Sequence, residues 1–382
     1  MSDFSIAFGN IYTGVDRRSG GYLNVKNEKI KSISSFPEYD SVDGEYKDYT
    51  IVPGFVDIHT HGFGGFDSME CDPYGIANWS EKLLRYGVTG FIPTSVSASE
   101  GNILRFLESV RNAMEKKVEG SEILGSRLEG PFISPKMKGA HDLNLIRKPT
   151  KNEINRIIRS GMGTLKIVDL APEIEGGLEA AKAFSFNNIN VSIGHSDAKF
   201  QEVVEFSGGK NLHFTHFYNA MSNFQHREAG MVGAGLTLNN SELELICDLY
   251  HIDENAIKLA VETRGWDNLI LVTDSISATG MKNGTYRLGE LNVAVKDGLC
   301  TIADTKTIAG STLTMDKAVR NLLDLHYVME DIVRAASVNP CRFLNLNDRG
   351  TLQTGKKADF AVLNNNLEIV ATFRNGKKLF SR

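Results

Sequence analysis

The segment PGFVDIHTHGFGG, Pro53–Gly65, closes an apolar run with two histidines one residue apart and then passes into glycines. In a β-strand alternate side chains share a face, so His59 and His61 point to one side and Thr60 to the other. Two imidazoles on one face can hold a metal ion. They can also be an accident of composition, since nine histidines among 382 residues produce about 0.2 such pairs by chance. The segment therefore has to be read together with the ends of the other strands.

Outward from it, apolar strand-like runs alternate with helical periodicity. Runs near 55–61, 87–95, 123–129, 164–171, 189–195, 211–216, 242–248 and 268–274 read as eight strands. Between them Ile103, Leu107, Val110 and Met114 fall on one helical stripe, and Ile154, Ile157 and Ile158 on another that stops before Gly161. Asp197 reads as the N-cap of a third helix. Eight strands each followed by a helix predict an α/β fold, a TIM-like (β/α)8 barrel, spanning 53–344. The two ends have another texture. Short alternating segments in 1–52 and 345–382, with Asn375-Gly376 as a hairpin turn, predict a small β-sandwich domain built jointly by the N- and C-terminal segments.

Composition narrows the class. With 41% hydrophobic and 23% charged residues the chain reads as a globular protein, and its net charge of −5 is interspersed. Short runs such as Glu115-Lys116-Lys117 read as a solvated helix face, which argues against a nucleic-acid or membrane surface. The four cysteines, Cys71, Cys247, Cys300 and Cys341, are far apart and form no C-x-x-C pair. That spacing predicts neither a disulfide framework nor a thiolate metal site and suits a reducing cytoplasm. The opening MSDFSIAFGN has no basic segment followed by an apolar core, and no apolar run approaches the roughly 18 residues that span a bilayer.

In such a barrel the functional residues sit at the C-terminal ends of the strands. Strand one ends in His59 and His61, and RLEGPFISP puts Glu129 at the end of strand three. VSIGHSD, HFTHFYNAM and LILVTDSI end strands five, six and eight in His195, His216 and Asp274. Each alone is explained as a polar residue at a loop entrance; together they place five potential metal ligands and one further carboxylate on one face. His213, three residues before His216, points to the opposite side of its strand and reads as structural. His226 and His326 have no convergent context. His141 and His251 lie in loops after strands three and seven that open on the same face, where substrate contact and capping are both open readings.

Imidazole nitrogens and carboxylate oxygens without thiolate suit zinc or ferrous iron, one or two per chain, with room left for water. A divalent ion lowers the pKa of bound water towards 7, which is hydrolytic chemistry. Asp274 could accept the proton of that water and return it to a leaving amine.

With H-x-H on strand one, histidines on strands five and six and an aspartate on strand eight, the chain resembles the amidohydrolase superfamily. NPCRFLNLNDRGTLQTGKKADFAVL resembles the segment by which these enzymes leave the barrel and rejoin a small β domain. More narrowly, RLEGPFISPKMKGAH, IGHSDA, THFYNAMSNFQHREAG and IAGSTLTMD resemble the N-acetylglucosamine-6-phosphate deacetylase family, from about residue 50 to the C-terminus. That resemblance implies metal-dependent removal of acetate from an amino-sugar phosphate, in amino-sugar catabolism or recycling, by a homodimer. It implies that Glu129, His195 and His216 hold the principal metal and His59 and His61 a second. It places His141 near the N-acetyl group, and Asn219 with the Ala220 backbone near the phosphate. His251 and Arg227 would help hold that phosphate, Arg227 from its own or the partner subunit, and Ser311 would shape the acetyl pocket or the loop over it. Without the resemblance Arg227 reads as a surface salt-bridge partner of Glu228 or another acid. Two other readings share the fold. Cyclic amide opening or deamination would use the same cluster, although cyclic amide hydrolases present a lysine at the end of strand four, where KIVDLAPE has none. A catalytically silent scaffold typically loses ligands, and none is lost.

Overall fold

The computed structural model of the chain describes residues 3–39, 42–43, 46–70, 72–116 and 118–382; Cys71 and Lys117 lie outside them. Eight parallel strands ring the barrel: β1 Phe55–Thr60, β2 Val88–Ser95, β3 Ser126–Glu129, β4 Leu165–Leu170, β5 Asn190–Ile193, β6 Leu212–Phe214, β7 Ser241–Leu245 and β8 Leu269–Leu271. Each pairs with the next, and the ring closes where the Asp274 N–H donates to the His59 carbonyl at 2.9 Å and Thr60 bridges Ser275. β1 and β2 are buried throughout, as expected of parallel strands covered on both faces.

Helices α1 Pro73–Leu83, α2 Glu100–Glu115, α3 Lys151–Ser160, α4 Gly177–Phe186, α5 Phe200–Ser207, α6 Gly230–Thr237, α7 Glu254–Arg264 and α8 Met315–Asp324 follow the strands in turn. The sequence stripes face inward: Ile103, Leu107, Val110, Ile154 and Ile157 are buried, with Met114 and Ile158 at the edge of the core. Ser99 caps α2 through the Asn102 N–H, and Thr150 caps α3 through the Glu153 N–H.

Asp197 is not a helix cap. α5 starts three residues later, where Glu202 accepts the Lys199 N–H at 2.7 Å. Asp197 is drawn elsewhere: its N–H donates to Glu173 at 2.7 Å and its carboxylate pairs with Lys136 at 2.8 Å. Strands β5, β6 and β8 also stop short of the ends expected at 195, 216 and 274. His195, His216 and Asp274 take left-handed backbone angles, φ 48°, 29° and 51°, which no ladder continues through.

An insertion between β8 and α8 forms a three-stranded sheet, Gly284–Leu288, Leu291–Lys296 and Leu299–Ile302, that the strand count did not predict. The chain termini build a second, mixed sheet. Its order is Lys377–Ser381, Ile369–Arg374, Phe360–Leu363, Thr50–Pro53, Phe4–Tyr12, Arg17–Lys26 and Lys29–Ser34, with Val42–Asp43 pairing on Phe4–Tyr12. Phe4 and Phe373 lie on strands with two others between them, about 14 Å apart in a flat sheet, yet their rings are 5.9 Å apart. The sheet therefore folds over on itself in the manner of a sandwich. Asn375 and Gly376, φ 50° and 70°, make the expected hairpin turn.

Strand periodicity divides this sheet between two cores. Phe360 and Val362 face its own cluster with Ile6, Phe8, Leu23 and Val25, whereas Ala361 and Leu363 face the barrel core. These separate clusters support a proposed division into a barrel of 53–344 and a small domain of 1–52 with 345–382. Phe360 is fully buried and stacks on Phe373 at 4.3 Å. Phe360→Ala is expected to lower the unfolding free energy by about 3–5 kcal/mol in urea titration, through lost burial and the cavity left behind.

Candidate metal centre

The side chains singled out at the strand ends meet at the mouth of the barrel. His59 Nε2 and His61 Nε2 are 3.3 Å apart. Glu129 Oε1 lies 3.0 Å from His195 Nε2 and 2.9 Å from His216 Nε2, which are themselves 3.0 Å apart. Glu129 Oε2 and Asp274 Oδ1 approach His61 Nε2 at 3.2 and 3.1 Å. All six residues are buried. His213 is not among these six: its Nδ1 lies on Ser192 Oγ at 2.8 Å, its ring stacks on Phe343 at 3.9 Å, and its Nε2 lies 3.6 Å from Glu244 Oε1 beneath the cluster. His226 and His326 are exposed and outside the cluster.

Hydrogen bonds on the far side of each ring decide which nitrogen carries the proton. His61 Nδ1 faces the Thr94 carbonyl at 3.1 Å, and His195 Nδ1 the Met137 carbonyl at 2.9 Å. A carbonyl only accepts, so both rings are protonated at Nδ1 and turn an Nε2 lone pair inward. His59 does the same through Glu244 Oε2 at 3.1 Å. His141 is the reverse. Its Nδ1 accepts the Ser97 N–H at 3.0 Å, so Nε2 bears hydrogen and faces Glu129 Oε2 at 3.4 Å. Burial holds its pKa down to about 4, leaving it neutral near pH 7. His141 therefore presents a donor, whereas His59, His61 and His195 present acceptors.

With Nδ1 of each ring already protonated, the two Nε2 atoms facing each other at 3.3 Å need a cation, a proton or a metal ion, between or beside them. The surrounding field calls for one. Burial and the Arg127 guanidinium push His59 down, yet the Asp274 and Glu129 carboxylates outweigh both and raise it to about 10. His61 is lifted against burial to about 9 by the same two carboxylates. His59, His61 and Asp274 fall within reach of one ion, and the all-nitrogen-and-oxygen donor set fits a divalent metal.

Below the cluster lies a group that the sequence reading missed. Arg127, fully buried, makes a fork of two 2.9 Å bonds to Asp169, pairs with Glu244 and donates to the Ile58 carbonyl at 3.1 Å. The available signal was charge inside otherwise apolar strands, in SRLEG, KIVDL and LELIC.

A cavity of about 310 Å³ opens above, lined by Glu129, His141, Asn219, Ala220, His251 and Asp274, with Leu288 and Ile308 from the insertion and the loop after it. Its size lies in the range of small-ligand pockets. His251 Nδ1 donates to Asp248 at 2.7 Å; burial lowers its pKa, but the Asp248 carboxylate outweighs this and the net shift is upward. The Asn219 amide donates to the His216 and Phe217 carbonyls at 3.2 and 3.3 Å, fastening the turn after β6. Ser311 sits behind Asp274, its N–H on the Asp274 carbonyl at 2.8 Å and its hydroxyl on that of Thr273. Arg227 is exposed and does not line the cavity. Glu228 makes no ion pair with it and instead accepts the Phe200 and Gly230 N–H groups on one oxygen at 2.9 and 3.1 Å. A larger cavity, about 750 Å³, lies at the opposite end of the barrel beside His213 and Arg342, where among the described residues no group of three ligand-type side chains comes within reach of one ion.

The model of the amidohydrolase family matches residues 50–379. The chain belongs to the amidohydrolase family. Among its members it is 34% identical to the N-acetylglucosamine-6-phosphate deacetylase of Bacillus subtilis, over 94% of this chain and 93% of that one. It is 35% identical to the N-acetylgalactosamine-6-phosphate deacetylase of Escherichia coli, over 86% and 87%. A variant of the Mycobacterium smegmatis N-acetyl-D-glucosamine-6-phosphate deacetylase, solved with N-acetyl-D-glucosamine-6-phosphate, superposes with a TM-score of 0.94 at 30% identity, over 100% of both chains. In this amidohydrolase, His195→Ala and His216→Ala are each expected to cost transition metal in elemental analysis of the purified protein. His213→Ala is expected to leave metal content unchanged.

Proposed function

We propose that the chain hydrolyses the acetamido group of N-acetylglucosamine 6-phosphate, releasing acetate and glucosamine 6-phosphate. The observation that carries this reading is the split among the histidines: inward lone pairs on His59, His61 and His195, and an inward donor on His141 across Glu129. An amide carbonyl needs that combination, acceptors to hold a Lewis acid and a neutral donor for the oxygen that gains charge. Similarity to deacetylases of N-acetylhexosamine phosphates supports the substrate class.

Glu129, His195 and His216 would hold the principal ion, and His59 and His61 with Asp274 a second, zinc or iron. Bound there, a divalent metal lowers the pKa of water and polarises the carbonyl. Asp169 and Glu244 pair with Arg127 beneath the cluster, whereas Glu129 and Asp274 face the histidines, so two carboxylates at the cavity floor support binding of a divalent cation there.

Asp274 acts as the proton carrier. Burial raises its pKa, but His59 and His61 outweigh burial and hold it below the ordinary carboxylate range, so it is ionised at neutral pH and able to accept. The water oxygen bonds to the acetyl carbon, its proton passes to Asp274, the C–N bond breaks and the same proton goes to the departing nitrogen. His141 Nε2–H donates to the acetyl oxygen while this happens. His251, with Asn219 and the Ala220 backbone, lies on the cavity wall that would receive the phosphate.

Arg227 would complete that receptor from the partner subunit of a homodimer. Its exposed position outside its own cavity, with Phe224, Leu249 and Tyr250 exposed on nearby loops, supports that arrangement. Among the described residues no helix is long and apolar enough to cross a membrane. Cys247, Cys300 and Cys341 are buried and unpaired, which supports action in a reducing cytoplasm.

The galactosamine epimer is a second reading, favoured by the comparable identity to the Escherichia coli enzyme, and parallel assays on the two phosphosugars decide between them. Asp274→Asn should lower kcat by about 10²- to 10⁴-fold while substrate still binds; retention of a tenth of wild-type kcat would remove it from the proton path. Losing a charge-assisted hydrogen bond costs about 1.5–3 kcal/mol, so Arg227→Ala should reduce kcat/KM about 10- to 150-fold on the phosphorylated sugar, chiefly through KM. Unphosphorylated N-acetylglucosamine should be indifferent to it.

A further inference from the structure

We propose that Glu244 is a positioning residue that joins the two halves of the metal centre, a single carboxylate setting the aim of His59 on one side and of His216 on the other. The inference rests on the metal-centre reading above. Glu244 lies inside the barrel on β7 with no exposure to solvent. Its Oε2 accepts from His59 Nδ1–H at 3.1 Å, from the main-chain N–H of His216 at 3.0 Å and, from below, from Arg127 Nη2 at 3.2 Å. Its Oε1 faces Arg127, whose other edge is clamped by Asp169. The carboxylate is thereby fixed from below on both oxygens, and Oε2 also accepts from one residue of each half.

The two bonds do different work. At His59 the carboxylate selects the tautomer: with the proton held at Nδ1, Nε2 keeps its lone pair and faces the cluster. At His216 it holds the backbone. That residue sits at φ 29°, a conformation that persists only where its surroundings impose it, and the N–H bond to Glu244 is such a restraint. The His59 and His216 rings stack at 5.5 Å, so movement of either disturbs the other. Glutamine cannot replace this group, because all of its neighbours on both edges are donors and one edge of the amide is a donor as well.

The test is cobalt binding to the metal-stripped full-length protein, followed by the visible absorption of the bound ion. Glu244→Asp keeps a charge against Arg127 but withdraws its oxygens by one methylene from His59 and His216, and Glu244→Gln keeps the length but not the acceptors. Both variants should bind cobalt about 10- to 100-fold more weakly, with an altered spectrum, and the loss should fall on both halves. His61→Asn is the contrast, expected to weaken one half only. If both variants fold with a cooperative melt and bind cobalt with wild-type affinity and spectrum, the proposal is overturned. If Glu244→Gln fails to fold, Glu244→Asp alone decides. Loss confined to one half in Glu244→Asp would also overturn it, leaving Glu244 as a support for one histidine. Wild-type protein that binds no cobalt would instead remove the metal-centre reading itself, an outcome distinct from failure in the variants alone.

Discussion

Everything at the mouth of this barrel rests on a charge buried beneath it. Arg127 has no exposed surface and spends its donors on Asp169, Glu244 and the Ile58 carbonyl. Taking a guanidinium and two carboxylates out of water costs several kcal/mol per ion, and the cost is offset only where geometry and further hydrogen bonds are good. Here they are: Thr215 contributes its hydroxyl to Asp169 at 3.1 Å, and Glu244 collects the His59 ring and the His216 backbone. Removing one partner would leave another charge stranded, a loss of about 3–5 kcal/mol. The network is thus less a source of stability than a rigid base for chemistry.

On that base the chain accepts local strain. His195, His216 and Asp274 all stand in the left-handed region, a conformation that costs of order 1–3 kcal/mol each for such residues. Surroundings compensate each of them. The His195 carbonyl accepts the Ser134 N–H at 2.9 Å, the His216 N–H is held by Glu244, and the Asp274 backbone is tied to His59 and Ser311. The same contacts that relieve the backbone turn the side chains out of the strand direction and into the cavity. Strain and function sit at the same residues because a regular strand would carry these groups past the point where they meet.

The proton arrangement extends this logic outward. Thr94 and Met137 supply carbonyls and Ser97 supplies an N–H, and these backbone groups separate the acceptor histidines from the one donor. The end of β2 with the loop after it and the loop after β3 share that sorting, which is why the scaffold must be stiff. The insertion after β8 and the loop behind it add apolar side chains, Leu288 and Ile308, to the wall of the cavity that His141 and Asp274 also line.

The sequence by itself determined the parts whose physics is local. Strand periodicity of two put His59 and His61 on one face and, with the strand ends, named Glu129, His195, His216 and Asp274 and set His213 apart. Helical stripes placed α2 and α3, and an Asn-Gly pair marked the last hairpin. What it did not determine depended on partners distant in the chain. Asp197 looks like a cap only until Glu173, 24 residues away, takes its N–H. Arg127 is one charge in an apolar strand until the barrel brings Asp169 and Glu244, 42 and 117 residues further on, to its two edges. The tautomer of His141 is set by Ser97, 44 residues earlier, and the backbone angle of His216 by a carboxylate on the next strand. A side chain's direction along a strand follows from its own backbone, whereas its protonation, its strain and its partner follow from what the closed barrel places beside it.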